Sequence, residues 1–302
     1  MLGEKYKVAI LLLGCRYEKY LGAIKYEELK GNIEVVAVGD IAPYGRTLDG
    51  WRLCTTEEAL VSGFDYLILA QDFKETEAAA NTFSKVGIRP DRVLSIEIFG
   101  GICFDFADYV RLHHSNISII AKNCWGGLTS HALGLKFLSP FVNLSFLDDA
   151  FLRLLSNLKE YMELELEPDT ESEEAKSHDF PCAMLGDISI RLNHYKDFAS
   201  AKIAWDERKK RINWDNLFIM MYTVHEDIAK RFEELPYERK VIFTPKDFHV
   251  SCQICLEDFN PWIENMEEDF WKSVDGVADG HLQYYNPYRL LLGDEDIFRF
   301  GR

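Results

Sequence analysis

The residues Asn-Cys-Trp-Gly-Gly at positions 123–127 place an amide, a thiol and an indole directly after an apolar run. If a helix begins just beyond them, its first backbone amides point at the turn and can bind an anion or an oxyanion. Such donors would also lower the pKa of the Cys124 thiol. The alternative is a Cys and a Trp packed on a buried turn. The predicted site residues here are Asn123, Cys124, Trp125, Gly126 and Gly127.

A second apolar run, I-S-I-R-L, delivers His194 at its end. Ligands of open α/β sheets gather at the carboxyl ends of strands, so His194 is predicted to lie near Cys124. It would activate the thiol as a nucleophile or act as a general base. Cys124 and His194 are therefore the predicted catalytic residues.

A basic run follows in the helix predicted over residues 198–211. Arg208 and Arg211 are three residues apart, on one helix face, and would clamp a diphosphate or a carboxylate. The alternative is that cations simply complement the negative end of the helix dipole. The other predicted substrate contacts are an indole that stacks on a sugar ring and two side chains that bond hydroxyls, namely Trp205, Asp215 and Asn216.

The elements that must position these residues are read from periodicity. Apolar runs near residues 7–14, 33–40, 64–71 and 93–99 alternate with amphipathic segments, and Thr55 with Glu58 forms a capping box. This spacing predicts an α/β fold with a parallel sheet. We expect a Rossmann-like domain at 1–112 and a second α/β domain at 113–302.

A nucleotide site in the first domain would use Gly14, Arg16 and Asp40, the last placed to bond a ribose hydroxyl. The first turn reads G-C-R-Y-E-K-Y-L-G, which lacks the G-x-G-x-x-G cradle for a pyrophosphate. Arg16 would have to supply the missing positive charge. A scaffold domain without a nucleotide is the alternative.

In the second half, Asp148 is predicted to cap a helix, and Thr223 with Glu226 is predicted to form a capping box. L-S-P-F-V-N-L-S-F reads as a short strand. The acidic segment 163–179 has few apolar residues and predicts a mobile, solvated loop, with a lid as the alternative. The C-terminal tail has no clear assignment.

The composition limits the partners. A net charge of −16 disfavours nucleic acid and anionic membranes, and no stretch approaches the length of a membrane span. Seven cysteines, odd in number and scattered, favour reduced thiols in the cytoplasm. Cys252 and Cys255 form a lone C-x-x-C, so no metal is expected. We expect a small-molecule ligand, such as a nucleotide-sugar or an acyl donor, while the cofactor stays unknown.

Five blocks in order carry a resemblance to a family. They are N-C-W-G-G, L-S-P-F-V-N-L, N-H-Y, W-D-E-R-K-K-R-I-N-W-D-N-L-F and L-P-Y-E-R-K-V-I-F-T, within residues 115–245. In these the chain resembles family 1919 of the domains of unknown function, bacterial proteins that occur with capsule, exopolysaccharide and lipopolysaccharide genes. The resemblance implies a role near surface-sugar assembly and supplies no catalytic residues.

Three functions are then open. The first is a transferase that acts on an activated sugar or a saccharide, and the second is a non-catalytic module that binds a nucleotide-sugar or a protein. The third is an acyltransferase in which Cys124 attacks an ester or thioester while the amides of Gly126 and Gly127 stabilise the oxyanion.

Overall fold

The structure is a computed structural model that describes residues 5–13, 16–101, 103–257, 263–278 and 284–298. It is a mixed α/β protein with parallel sheets and many helices, as the alternating apolar runs predict. The chain divides into two compact units, Met1–His114 and Ser115–Arg302. In the described ranges, no helix has both the length and the apolar composition that a membrane crossing requires.

The first unit is built on a six-stranded sheet in the order β3-β4-β2-β1-β5-β6, parallel except for the β3–β4 pair. Its core strands are continuous apolar runs because helices cover both faces of a parallel sheet. The strands are β1 (Tyr6–Leu11), β2 (Ile33–Asp40), β3 (Thr47–Leu48), β4 (Trp51–Thr55), β5 (Tyr66–Leu69) and β6 (Val93–Ser95). The helices are α1 (Tyr17–Lys30), α2 (Thr56–Leu60), α3 (Phe73–Ser84) and α4 (Phe106–Ser115).

The predicted capping box at the start of α2 is confirmed, since the Thr55 side chain accepts from the Glu58 amide and Glu58 returns the bond. Gly39 explains how closely this helix approaches the sheet. A Cβ there would lie 2.7 Å from both Ala59 Cβ and Leu11 Cδ2. The glycine in β2 is therefore required by helix–sheet packing.

The second unit combines two sheets. A four-stranded parallel sheet has the order β13-β12-β11-β7, and a three-stranded antiparallel sheet has the order β10-β9-β8. The strands are β7 (Ser118–Ala121), β8 (Leu166–Asp169), β9 (Cys182–Leu185), β10 (Ile188–Arg191), β11 (Leu217–Tyr222), β12 (Lys240–Thr244) and β13 (Gln253–Cys255). The helices are α5 (Trp125–Ala132), α6 (Asp148–Ser156), α7 (Leu158–Glu163), α8 (Glu173–Ser177), α9 (Phe198–Lys209), α10 (Glu226–Glu233), α11 (Met266–Ala278) and α12 (Pro287–Leu292).

The strand β7 lies at the edge of the parallel sheet, and the chain that follows α5 covers that edge. Ser118 Oγ donates to the Leu138 carbonyl at 2.8 Å, and Ser139 Oγ donates to the Ile119 carbonyl at 2.5 Å. The Phe146 amide donates to the Lys122 carbonyl at 3.0 Å. Residues 138–146 thus pair with β7 largely through side chains, and only an isolated bridge at Ser145 forms where a strand was predicted.

The prediction of a mobile loop at 163–179 is wrong. The segment contains β8, which pairs with β9, and the short helix α8. The low apolar content hid this pairing because Leu166 is its only fully buried apolar side chain, at 2% exposure. The strand is stabilised by its long-range partner rather than by its own composition.

Two predicted caps are also wrong. The helix α6 begins at Asp148 with Leu147 in the capping position, and α10 begins at Glu226 after His225. Asp148 and Thr223 instead bond each other, with 2.5 Å between Thr223 Oγ1 and Asp148 Oδ2. Both side chains are thereby drawn to the carboxyl edge of the sheet.

Candidate functional site

The carboxyl ends of β7 and β11 bring a buried ion pair together. Lys122, directly after β7, donates from Nζ to Asp148 Oδ1 and, at 2.9 Å, to the Tyr222 carbonyl. Asp148 comes from the first turn of α6 and also accepts from Thr223. Since β7 and β11 are parallel neighbours, their ends meet at one edge of the sheet.

The ammonium of Lys122 is almost enclosed, with a side-chain exposure of 6%. Burial lowers its pKa below the ordinary lysine value, although Asp148 acts in the opposite direction. The Nζ atom also lies 3.8 Å from the centre of the Tyr222 ring, a cation–π contact. The lysine is therefore fully engaged, and its role is to hold Asp148 and the Tyr222 ring in place.

Tyr222 forms a cluster with Lys122, Asp148 and Thr223, and its phenol is only partly buried. Its side chain is half-buried, and its hydroxyl makes no hydrogen bond to any residue that the structure describes. Burial is the main reason that the pKa of the Tyr222 phenol is raised, and the negative charges of Asp148 and Asp275 raise it further. A neutral phenol that faces carboxylates is available to donate a hydrogen bond to a ligand.

The helix α11 contributes a second carboxylate. Asp275, half-buried, accepts from Asn123 Nδ2 at 2.9 Å, and Asn123 Oδ1 accepts from the Trp125 amide at 3.2 Å. The Trp125 amide thus sets the orientation of the Asn123 side chain, which in turn orients Asp275. Asn123 is therefore a positioning residue at the site predicted for it.

The Cys124 thiol lies beside Asp275 but is not activated. Burial, and then the charge of Asp275, raise its pKa to about 12. The expectation of a lowered pKa is therefore wrong, because desolvation outweighs any donors at the start of α5. At neutral pH the sulfur is a neutral thiol, a poor nucleophile.

We expect alkylation of Cys124 by iodoacetamide to rise about tenfold per pH unit between pH 7 and 10, without a plateau, because only the thiolate reacts. A thiol of ordinary pKa would level off above about pH 8.5. Mass spectrometry of the peptide that contains residue 124 measures the rate. Asp275→Asn should accelerate it at each pH, since the neighbouring negative charge is removed. A plateau near pH 8 in the wild-type protein would contradict this prediction.

The neighbouring Trp125, Gly126 and Gly127 serve packing. The Trp125 indole is fully buried, stacks on Phe218 with 6.0 Å between ring centres and donates from Nε1 to Tyr285 Oη at 3.0 Å. It cannot stack on a sugar without unpacking the core. A Cβ at Gly126 would lie 2.9 Å from Ala121 Cβ, and one at Gly127 would lie 3.1 Å from Val142 Cγ1. Both glycines let α5 approach its neighbours.

The helix α9 carries two further predicted contacts away from the cluster. Trp205 is 2% exposed and packs on Phe141, so it is not a stacking platform. Arg208 donates to Tyr195 Oη at 2.9 Å and lies over the Phe137 ring. Arg211 lies beyond the end of α9 and is exposed, so the two arginines do not share a helix face as predicted.

The residues after α9 lie at the amino ends of the strands, opposite the carboxyl ends where Cys124 lies. Asn216 Nδ2 donates to the Ser115 carbonyl at 2.7 Å, and the Ser118 amide donates to the Asn216 carbonyl, which places Asn216 at the amino ends of β7 and β11. Asp215 is exposed beside it. Neither residue lies at the carboxyl ends of the strands, where Cys124 lies. The predicted site therefore included residues that the structure keeps apart.

His194 lies on the turn after β10, three residues beyond Arg191, and is exposed. Within the described part of the chain it makes no hydrogen bond or ion pair, and none joins it to Cys124. Its predicted role as a base or activator stays a prediction.

Arg191 is a second cation close to Lys122 and Tyr222. It ends β10, and its backbone pairs with Ser145 in both directions at 2.9 and 3.0 Å. Its charge acts on the pKa of both Lys122 and Tyr222. Its Nε donates to Glu174 Oε2 at 2.5 Å.

The predicted nucleotide residues belong to the first unit. Gly14 lies outside the described residues. Arg16 pairs with Glu97 at 2.5 Å and with Asp72 at 3.5 Å, so two carboxylates already neutralise the cation that a phosphate would need. Asp40 ends β2 and accepts from the Ala42 amide at 3.0 Å. In the described ranges, no group of three or more His, Cys, Asp or Glu side chains is arranged to hold a metal ion.

Five polar residues of this site were not identified as site residues from the sequence: Lys122, Asp148, Arg191, Tyr222 and Asp275. Two of them had a usable signal, because Lys122 and Tyr222 stand at the carboxyl ends of predicted strands. Asp275 had none, since its contact with Asn123 joins residues 152 positions apart.

A protein-family model covers more than half of this chain. The family model described as "Domain of unknown function (DUF1919)" matches residues 98–282. An "Uncharacterized protein" of Haemophilus influenzae is 37% identical over 141 residues, which is 46% of this chain. The match spans 66% of that relative, just under two thirds of its length.

Among solved structures, aspartate semialdehyde dehydrogenase II of Vibrio cholerae, complexed with ASA, matches 72% of this chain and 68% of its own. The identity is 9% and the TM-score is 0.24, which does not indicate a shared fold.

Proposed function

The chain belongs to the DUF1919 family of domains of unknown function, and on that premise we propose that its second unit is a transferase of bacterial surface-polysaccharide biosynthesis. It would act in the cytoplasm on an activated sugar or a saccharide. The gene context implied by the resemblance supports the pathway. The geometry at the carboxyl ends of β7 and β11 supports the ligand class.

The observation that carries the proposal is the pairing of an accessible phenol with a carboxylate at that edge. Tyr222 presents a hydroxyl that bonds no described residue, and Asp275 is oriented beside it by Asn123. Sugar hydroxyls are recognised by such carboxylates and hydroxyls, and parallel sheets bind ligands at their carboxyl edge. The Lys122 ammonium contacts the face of the Tyr222 ring.

In the proposed reaction, Asp275 accepts the proton of an acceptor hydroxyl. The acceptor oxygen forms a bond to the anomeric carbon of the donor, while the bond from that carbon to the leaving phosphate oxygen breaks. The leaving phosphate takes the electron pair. Tyr222 would donate a hydrogen bond to the donor sugar, and His194 is the alternative base.

The acyltransferase alternative loses its support, since burial and Asp275 keep Cys124 protonated. For the first unit we propose a Rossmann-like scaffold. Its parallel strands run in the order β4-β2-β1-β5-β6, and its Arg16 is occupied by Asp72 and Glu97.

Asp275→Asn tests the proposal. We expect transfer from a panel of nucleotide-sugars, followed by mass spectrometry, to fall about 10²- to 10⁴-fold, as loss of a general base predicts. The donor-induced rise in melting temperature should persist, because the amide still fills the place of the carboxylate. The matched control is Asp269→Asn on the same helix, where the carboxylate pairs with Lys272 at 2.6 Å. Donor binding without any product from the wild-type protein would favour the non-catalytic binding module.

A further inference from the structure

The geometry points to a phosphoryl-binding subsite at Arg191, whose guanidinium pairs with the carboxylate of Glu174. The inference rests on the proposed function and names the group of the donor that this edge of the site would take. Arg191 ends β10, and Glu174 lies on the short helix α8, within the acidic segment for which a lid was the alternative prediction.

Arg191 lies one extended segment away from Lys122. Its backbone pairs with Ser145, and the next residue, Phe146, donates its amide to the Lys122 carbonyl at 3.0 Å. One extended segment therefore separates the two basic residues, which puts their backbones about 10 Å apart at the usual spacing between strands. A ligand that contacts Tyr222 can reach Arg191 without leaving the site.

The Arg191 guanidinium has hydrogen-bond donors to spare. A guanidinium has five N–H groups, and Arg191 uses only Nε–H, toward Glu174. The four N–H groups of its terminal nitrogens make no hydrogen bond to any residue in the ranges that the structure describes. The side chain is 27% exposed, so it is held by the protein yet open to solvent. Such a fork matches two oxygens of a phosphate.

Glu174 is the carboxylate that pairs with Arg191. It lies on α8, within the acidic segment 163–179, and its carboxylate contacts Arg191 Nε at 2.5 Å and His178 Nε2 at 3.5 Å. The guanidinium lowers the pKa of this carboxyl, so it is charged at neutral pH. Glu174 thus places a single negative charge where an anionic ligand would bind.

A phosphoryl dianion is the ligand class that fits. A ligand carboxylate would replace Glu174 with a group of equal charge and would gain little. A phosphate monoester or diphosphate brings more charge and more oxygens to the same fork. The covering helix is short, five residues, so its displacement disturbs little of the core.

Calorimetry of the full chain with inorganic pyrophosphate tests the subsite. We expect Glu174→Gln to bind about five- to tenfold more tightly than wild type, since the competing charge is removed. Glu173→Gln is the matched control, because it changes the net charge equally from an exposed neighbour on the same helix. Arg191→Lys should weaken binding at least about tenfold, because a lysine keeps the charge and loses the fork.

A second measurement does not depend on the variants. Saturating pyrophosphate should increase amide hydrogen exchange in residues 172–178 of the wild-type protein, as Glu174 leaves Arg191. Equal affinities for Glu174→Gln and Glu173→Gln, or full affinity in Arg191→Lys, would overturn the inference. Unchanged exchange at saturation would do the same.

The outcomes separate this inference from the proposed function. Pyrophosphate binding that depends on Arg191, with no sugar transfer in any assay, keeps the subsite and removes the transferase. Transfer that persists in Arg191→Lys at the wild-type rate keeps the transferase and removes the subsite.

Discussion

Replacing Asp148 by alanine should lower the free energy of unfolding by about 3–5 kcal/mol, because it leaves Lys122 buried without its counter-ion. The Thr223 hydroxyl loses its acceptor in the same variant. Chemical denaturation of the full chain measures the loss. The control is Asp149→Ala, whose carboxylate pairs with Arg231 on the surface and should cost less than about 1 kcal/mol.

The double variant Lys122→Met/Asp148→Ala should recover most of that loss, since no unpaired charge remains. The free energy of unfolding of the Asp148→Ala variant should also depend on pH. Burial lowers the pKa of Lys122 in the folded protein, so the unfolded chain binds more protons between that lowered pKa and about 10.4. Stability of Asp148→Ala should therefore rise with pH across this window. A loss equal to that of Asp149→Ala would show that the pair is not a buried one.

Replacing Trp125 by alanine should lower the free energy of unfolding by about 3–5 kcal/mol, the usual cost of removing a large aromatic side chain from a core. The indole is fully buried against Phe218 and Phe243, and the Tyr285 hydroxyl loses the bond from Nε1. Thermal and chemical unfolding measure the effect.

Trp271→Ala is the control for size, because this indole on α11 is 43% exposed and should cost much less. Trp125→Phe should fall between the two, since it keeps an aromatic ring and leaves the Tyr285 hydroxyl unpaired. If Trp125→Ala instead left stability unchanged and removed ligand binding, the packing role assigned to this residue would be wrong.

Much of the sheet architecture could be predicted because a strand buried on both faces is a continuous apolar run. The runs that become β1, β2, β5, β7, β11 and β12 are of this kind. The acidic segment could not be read that way, since β8 depends on its partner β9 for stability. The two predicted helix caps were wrong for a related reason. Asp148 and Thr223 have side chains that can cap a helix, but Asp148 pairs with Lys122 and Thr223 donates to Asp148, contacts between residues far apart in the chain.

The position of the candidate site could be predicted from the sequence, but most of the residues that form it could not. Strand ends mark the edge where Asn123 and Cys124 lie, and that expectation follows from parallel topology alone. The two glycines at 126 and 127 could equally admit a ligand or a neighbouring element, and only their spatial neighbours, Ala121 and Val142, distinguish these uses. Asp275 comes from a tail that carried no pattern, so its contact with Asn123 could not be anticipated.

The serine bonds along β7 have a consequence for behaviour in solution. An uncovered outer strand is a template on which another chain can add a strand, and rows of such additions lead to aggregates. Ser139 Oγ occupies the Ile119 carbonyl of β7, the Phe146 amide occupies the Lys122 carbonyl, and Ser118 Oγ ties the covering chain to the strand at Leu138. A strand from another molecule would therefore have to displace this covering segment before it could pair with β7.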